Sequence, residues 1–312
     1  MQIYLVDVEG GQATLIVSPS GQSLLIDTGW PGGRDATRIV EAARAAGINQ
    51  LDYVLITHYH RDHVGGVPSL AKHIKIGTFV DHGANQEDTN DPREDFAAYE
   101  KAASQAKRLT VKPGDGLPIA GITVKVLTAA GARIDSPLPG AGEANSYCPD
   151  ESTPPVDKTE NARSLGTLIT YGKFRVIDLG DLTKDRELEL VCPNNLVGHV
   201  DLFIVTHHGA SLSNSKSLVW GMHPRVALMD NGADKGASPG AWQIIHDSPG
   251  LEGFWQLHYA IEGGKENNVA PEMIANLDEK PDKGNYIKVL VEPNGTFTVI
   301  NSRTQQKKTY RK

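Results

Sequence analysis

One pattern, written twice in this chain, limits its fold more than any other feature. Leu25-Ile-Asp-Thr-Gly29 precedes Leu55-Ile-Thr-His58 by about thirty residues, and Val176-Ile-Asp-Leu-Gly180 precedes Ile204-Val-Thr-His207 by nearly the same interval. Each copy is an apolar, strand-length run ended by Asp and Gly, followed by a second apolar run ended by Thr-His. Self-similarity at this scale implies two related β/α halves facing one another, with His58 and His207 in equivalent positions at strand ends.

The rest of the chain agrees with layered α/β architecture. Strands are expected at Ile3–Val8, Ala13–Val17 and Leu24–Asp27, the last two joined by the turn chemistry of Ser18–Gly21. Apolar positions Ala36, Ile39, Val40 and Ala43 repeat at helical spacing from Arg34 to Ala46, and Gly47 supplies a stop. A strand over Tyr53–Thr57 leads into the histidines. A helix is predicted over Glu94–Lys107, a strand over Ile122–Leu127, and a hairpin from Leu165–Tyr171 and Phe174–Leu179 through Gly172. Residues 129–163 break the pattern, rich in Pro, Gly, Ser and charge, and read as a lid-like insertion. At 312 residues the chain can bury a large core, and residues 1–300 are expected to form one domain. Residues 301–312, with Arg303, Lys307, Lys308, Arg311 and Lys312, read as a frayed basic tail.

Composition narrows the function classes. A net charge of −7 supplies no global positive field for a nucleic-acid backbone. No apolar run approaches the roughly 20 residues that span a bilayer, which points to a soluble chain, either cytoplasmic or exported with its signal peptide absent. Cys148 and Cys192 stand outside any Cys-x-x-Cys or Cys/His zinc spacing. Two free thiols and one disulfide both fit, and the disulfide would argue for export.

The chemistry concentrates in His58-Tyr-His-Arg-Asp-His63. Histidines two apart after a strand project to one side and can share a metal, while Asp62 and His63 can serve a second. Two metals a few Å apart acidify one water into the attacking hydroxide and hold developing charge, so such a centre favours hydrolysis. Gly65-Gly66 closes the run.

Thr57-His-Tyr-His-Arg-Asp-His63 resembles the T-H-x-H-x-D-H signature of the metallo-β-lactamase superfamily. Asp27, Asp181 in Gly180-Asp181, and His207 in Thr206-His-His-Gly209 follow in the family's order, so the resemblance covers about residues 3–230. It implies a four-layer αβ/βα sandwich and a centre of one or two zinc ions. Its ligands would be His58, His60, Asp62, His63 and His207, with Asp181 as the bridge. Asp27 would orient a ligand, or else cap the turn before Gly29, and Asp178 would play a similar supporting role. Asp62, Asp181 and His208 are the candidate catalytic residues. His207 is favoured over His208 as the ligand because the internal repeat selects it, leaving His208 to contact substrate or a backbone carbonyl. One departure stands out: Asn161 lies where many members carry the histidine that completes the first site. A first site of His58, His60, Asp181 and the Asn161 carbonyl would be weaker and richer in oxygen, which brings Mn²⁺ into range. Asn161-x-x-Ser164-Leu165 with Gly180-Asp181 and His207-His208-Gly209 is similar to the subgroup of ComEC-type proteins and a phosphorylcholine esterase, which implies phosphodiester substrates.

Trp30, His82, Lys235 and His258 are the candidate pocket residues, and Trp220, Trp242 and Trp255 read as packing. Two other functions remain open on the same residues. One is a β-lactam or lactone hydrolase, and the other a non-catalytic module that binds a metal or ligand.

Overall fold

The computed structural model describes residues 1–152, 154–278 and 283–312. The chain opens as an antiparallel meander of β1 (Gln2–Leu5), β2 (Thr14–Val17) and β3 (Ser23–Ile26). Helix α1 (Arg34–Ala45) then carries the chain back across the sheet, so β4 (Gln50–Leu55) lies parallel to β3, as a helical crossover requires. After the short α2 (Arg61–Val64) and α3 (Val67–His73) comes β5 (Lys75–Asp81), and after α4 (Asn90–Ala103) comes β6 (Lys107–Thr110), both again parallel.

The second sheet begins with β7 (Gly116–Leu117) and β8 (Thr123–Ala129), to which β9 (Ala132–Arg133) adds a short hairpin. The hairpin of β10 (Gly166–Tyr171) and β11 (Phe174–Asp178) turns at Gly172, where φ is 58° and a Cβ would stand 2.1 Å from the Pro293 carbonyl oxygen. Parallel strands β12 (Leu202–Ile204), β13 (Val226–Met229), β14 (Gly253–His258) and β15 (Ile274–Asn276) follow. Helices α5 (Lys184–Val191), α6 (Lys216–Met222) and α7 (Pro239–His246) lie between successive strands of that series. The chain then returns to the first sheet with β16 (Ile287–Val291) beside β1, followed by β17 (Phe297–Asn301) and β18 (Lys307–Tyr310).

Period-two alternation decides what each face buries. Ile3, Leu5, Leu24 and Ile26 of the first sheet meet Val176, Leu202, Ile204, Val226 and Leu228 of the second in a core between the sheets. The alternate residues Tyr4, Leu15 and Leu25 pack under Ala36, Ile39 and Ala43 of α1 and Leu70 of α3. Ile177, Phe203 and Ala227 pack under Leu190, Leu218, Met222, Trp242 and Ile245 of α5, α6 and α7. Three apolar layers between four structural layers make the expected αβ/βα sandwich. Each buried Leu or Ile contributes about 1.5–3 kcal/mol of transfer free energy.

Several expectations need correction. The helix predicted over Glu94–Lys107 ends at Ala103, and Lys107 opens β6 instead, because β5 presents an edge that Lys107–Thr110 pairs. Residues 301–312 are not a frayed tail. Lys307–Tyr310 pairs with β17, and Tyr310 is buried, stacked on Phe297 and accepting a hydrogen bond from Trp255 Nε1 at 3.0 Å. The lysines are those of an edge strand, where charge blocks pairing with another chain, and they hid the strand pattern. The insertion at 129–163 holds β9 and two 3₁₀ turns, Cys148–Asp150 and Asn161–Arg163; residue 153 lies outside the described residues. Cys148 and Cys192 form a disulfide that ties this segment to the end of α5. Among the described residues, no helix is long and apolar enough to cross a membrane.

Candidate metal centre

The chemistry-bearing residues sit at the carboxyl ends of parallel strands in both sheets, where open α/β sheets place their ligands. Asp27 ends β3 with a φ of 59°. Thr57 to His60 follow β4, and extended His60 starts the single turn α2, which swings Asp62 and His63 inward. That turn lies against Thr28, close enough that a Cβ at Gly66 would stand 2.0 Å from the Thr28 carbonyl oxygen. From the second sheet, Gly180 and Asp181 follow β11, and Thr206 to His208 follow β12. His207 and His208 both hold left-handed backbone, φ 55° and 54°, which costs about 1–3 kcal/mol each for non-glycine residues. Neighbouring backbone fixes them: His207 N donates to Gly180 O at 3.0 Å, and Ala237 N donates to His208 O at 2.8 Å.

Asp62, His63, Asp181 and His208 are all buried and converge as a group able to hold an ion. Nε2 of His63 lies 3.2 Å from Nε2 of His208, 3.3 Å from Asp62 Oδ2 and 3.2 Å from Asp181 Oδ2. Nε2 of His208 lies 3.3 Å from Asp62 Oδ2 and 3.4 Å from Asp181 Oδ1. Four ligand atoms at ~2.0–2.1 Å around a tetrahedral ion are separated by about 3.3 Å, so these residues fit a zinc-like cation.

Hydrogen bonding assigns the tautomers. Asp27 Oδ2 takes the Nδ1 proton of His63 at 2.7 Å. Thr57 Oγ1 spends its own proton on Asp27 at 2.6 Å, so it accepts from His58 Nδ1 at 3.1 Å. Ser213 Oγ donates to Leu182 O at 2.8 Å and therefore accepts from His207 Nδ1 at 3.0 Å. Asp230 Oδ2 forms an ion pair with His208 Nδ1 at 3.2 Å. Each of these four imidazoles thus turns Nε2 toward the centre, the nitrogen a metal ion would take once any proton on it is displaced. His58 Nε2 and Asp181 Oδ1 are buried without a hydrogen-bond partner, a cost that a cation removes.

The second cluster is looser. Around Asp181 Oδ2 stand His207 Nε2 at 3.4 Å and His58 Nε2 at 3.9 Å, with the His60 ring 4.7 Å from that of His58. This arrangement corrects two expectations. His208, not His207, joins Asp62 and His63, because two successive left-handed residues reverse the side-chain direction that the repeat implies. His207 instead faces the side of His58, where a third imidazole was thought missing. Asn161 sits in a 3₁₀ turn with its Oδ1 buried and without a hydrogen-bond partner. Its neighbour Ser164 accepts the Asp181 N–H at 3.2 Å.

Electrostatics follow from crowding carboxylates and imidazoles in a buried space. Burial alone would lower the His63 pKa, but Asp181, Asp62 and Asp27 outweigh it and hold it well above the ordinary value. For His208, Asp181 and Asp230 likewise overcome burial and push it up to about 10. Asp62 and Asp181 are held well below the carboxylate range, the neighbouring histidines overriding burial. Asp178 goes the other way: burial pushes it up to about 7 despite the hydrogen bonds it accepts from Gln12 and Gly180. A cation entering the group therefore displaces a proton.

Lys235 reaches Asp62 Oδ2 and lies over the Trp30 ring, 4.8 Å from its centroid. Trp30 Nε1 donates to Glu9 O at 3.3 Å. Buried His82 pairs with Glu160 at 3.1 Å, and buried His258 pairs with Asp7 at 2.7 Å. Sequence reasoning missed Glu87, Asp230, Ser213 and Ser164. Asp230 had a readable signal, an aspartate ending the apolar run Val226–Met229 as Asp27 ends β3. Glu87, whose Oε2 lies 3.0 Å from His60 Nε2, had none.

Residues 6–153 match the family described as Metallo-beta-lactamase superfamily. The chain is 27% identical over 248 residues to ComE operon protein 3 of Bacillus subtilis (strain 168), covering 74% of this chain and 28% of that protein. It is 25% identical over 234 residues to Recombination protein 2 of Haemophilus influenzae, covering 74% of this chain and 24% of that protein. The chain thus spans about a quarter of the length of these relatives. Among solved structures, the metallo-beta-lactamase fold protein YhfI from Bacillus subtilis is similar at 14% identity and a TM-score of 0.48, covering 82% of this chain and 95% of that one.

Proposed function

Since the chain belongs to the metallo-β-lactamase superfamily, we propose that it is a metal-dependent hydrolase whose substrates are phosphodiesters. The observation that carries the reading is the convergence of the His63 and His208 Nε2 atoms on Asp62 and Asp181, all buried. Asp62, His63, Asp181 and His208 would hold one divalent cation, zinc by the donor set. His58, His60, His207 and the same Asp181 would hold a second, zinc or manganese. Bound cations of this kind lower the pKa of water and polarise a substrate oxygen.

The chain's own residues do the rest. Asp27, Thr57, Ser213 and Asp230 keep each imidazole in its ligating tautomer. Asp181 lies between the two clusters and neutralises charge on both sides. Lys235, stacked on Trp30, supplies a fixed cation to an anionic substrate. The chain through β18 would form one domain, with the insertion at 129–163 bringing Glu160 to Glu87 and the adjoining Ser164 to Asp181. Phosphodiesters are placed ahead of β-lactams or lactones on the motif resemblance of Asn161-x-x-Ser164-Leu165, Gly180-Asp181 and His207-His208-Gly209 to the ComEC-type subgroup.

The test is a substrate panel on metal-loaded protein: bis-p-nitrophenyl phosphate and dinucleotides against nitrocefin and acyl lactones. Phosphodiester cleavage abolished by His63→Ala is expected. Cleavage of only the carbonyl substrates would replace the substrate class, and no turnover with tightly bound metal would favour a binding module.

A further inference from the structure

His60 differs from the other four histidines of the centre. Its Nε2 is occupied, 3.0 Å from Oε2 of Glu87, so Nδ1 is the nitrogen left bare. The same Glu87 oxygen accepts the backbone N–H of Glu160 at 2.9 Å. Glu87 is itself held: its N–H donates to Asn85 Oδ1 at 2.9 Å, and Asn85 Nδ2 donates to Glu87 O at 3.1 Å. Glu160 is held too, its carboxylate accepting from Gln86 N at 2.9 Å and pairing with His82 at 3.1 Å and Arg163 at 3.3 Å. A carboxylate braced on this many sides is preorganised, because its orientation does not have to be won when an ion arrives.

We propose that Glu87 is the positioning residue of His60: by accepting the Nε2 proton it selects the tautomer in which Nδ1 ligates, and it couples that choice to the backbone at Glu160. The site therefore reads His58 and His207 through Nε2 and His60 through Nδ1, and the segment from Glu160 to Ser164 is linked to it at both ends. Ser164 closes the link by accepting the Asp181 N–H. The proposal rests on the two-cation reading above.

The experiment titrates the metal-free protein with Co²⁺, following visible absorption and competition with a chelator, for the wild type, Glu87→Ala and Glu87→Gln. Loss of an orienting acceptor typically weakens metal affinity by about 10–100-fold. Glu87→Ala is expected to weaken one of two ions by that factor and leave the other unchanged, and Glu87→Gln, whose amide oxygen still accepts from Nε2–H, to recover most of the loss. Two ions bound by Glu87→Ala with wild-type affinity would overturn the proposal alone. So would Glu87→Gln as weak as Glu87→Ala, which would make Glu87 a charge partner or ligand instead. A wild type that binds no ion would overturn the metal-centre reading with it.

Discussion

The two halves of the centre share Asp181 but are built differently. Around His63 and His208 the ligand atoms are 3.2–3.4 Å apart and buried, and both imidazoles are backed by carboxylates, Asp27 and Asp230. Around His58 and His207 the spacings to Asp181 are 3.9 and 3.4 Å, and hydroxyls of Thr57 and Ser213 do the backing. His60, the third imidazole there, is about a quarter exposed. One site is already shaped for an ion, while the other must close on it. Carboxylate backing also raises ligand basicity more than a hydroxyl does, so both geometry and charge favour filling the first cluster before the second.

The largest expected effect is at the shared residue. Asp181→Asn removes charge from both clusters, and equilibrium dialysis should show both ions lost, a change larger than the ~100-fold that an outer supporting residue costs. Retention of one ion at wild-type affinity would break the idea of a shared carboxylate. Next come the paired histidines: His208→Ala should eliminate the tight ion, His207→Ala only the loose one. If the two variants behaved alike, the two clusters would not be distinct. Asp27→Asn should then weaken the tight ion by about 10–100-fold and leave the loose one nearly unaffected.

Proton competition sharpens the comparison further. In metal-free protein His208 is pushed up to about 10, so its proton stabilises the fold fully below its ordinary value, and that stability is lost as pH rises through about 10. The ion must displace that proton, so affinity at the tight site should rise about tenfold per pH unit from pH 7 towards 10, with proton release in calorimetry. His207 is lowered, burial being the main cause, and the loose site should show a flatter profile over the same range. The smallest effect is expected from Lys235→Ala, which should raise KM for an anionic phosphodiester several-fold, about 1 kcal/mol of lost charge contact, with metal content unchanged.

How much of this was legible depended on the kind of signal. Strand ends are written in apolar runs stopped by Asp or His, so the two β/α halves and the strand-end positions of Asp27 and His58 could be read directly, while the four-layer sandwich and the places of His63 and Asp181 came from the family resemblance. The exchange of His207 for His208 could not, because it depends on two left-handed backbone angles that no local pattern announces. Counting residues before Asp181 locates the turn at Asn161, whereas the imidazole of His207 reaches Asp181 from the end of β12, the strand paired with β11. Glu87 and Ser213 lie in loops whose side chains acquire meaning only once tertiary structure places them beside a histidine. The lysines of β18 concealed a strand whose buried Tyr310 decides its pairing.

The most direct test of the central asymmetry is a crystal of metal-free protein soaked with one equivalent of Zn²⁺, with anomalous differences collected at the zinc edge. One strong peak among Asp62, His63, Asp181 and His208, with little density beside His58 and His207, is the expected result. A peak of equal or greater height beside His58, His60 and His207 would contradict it.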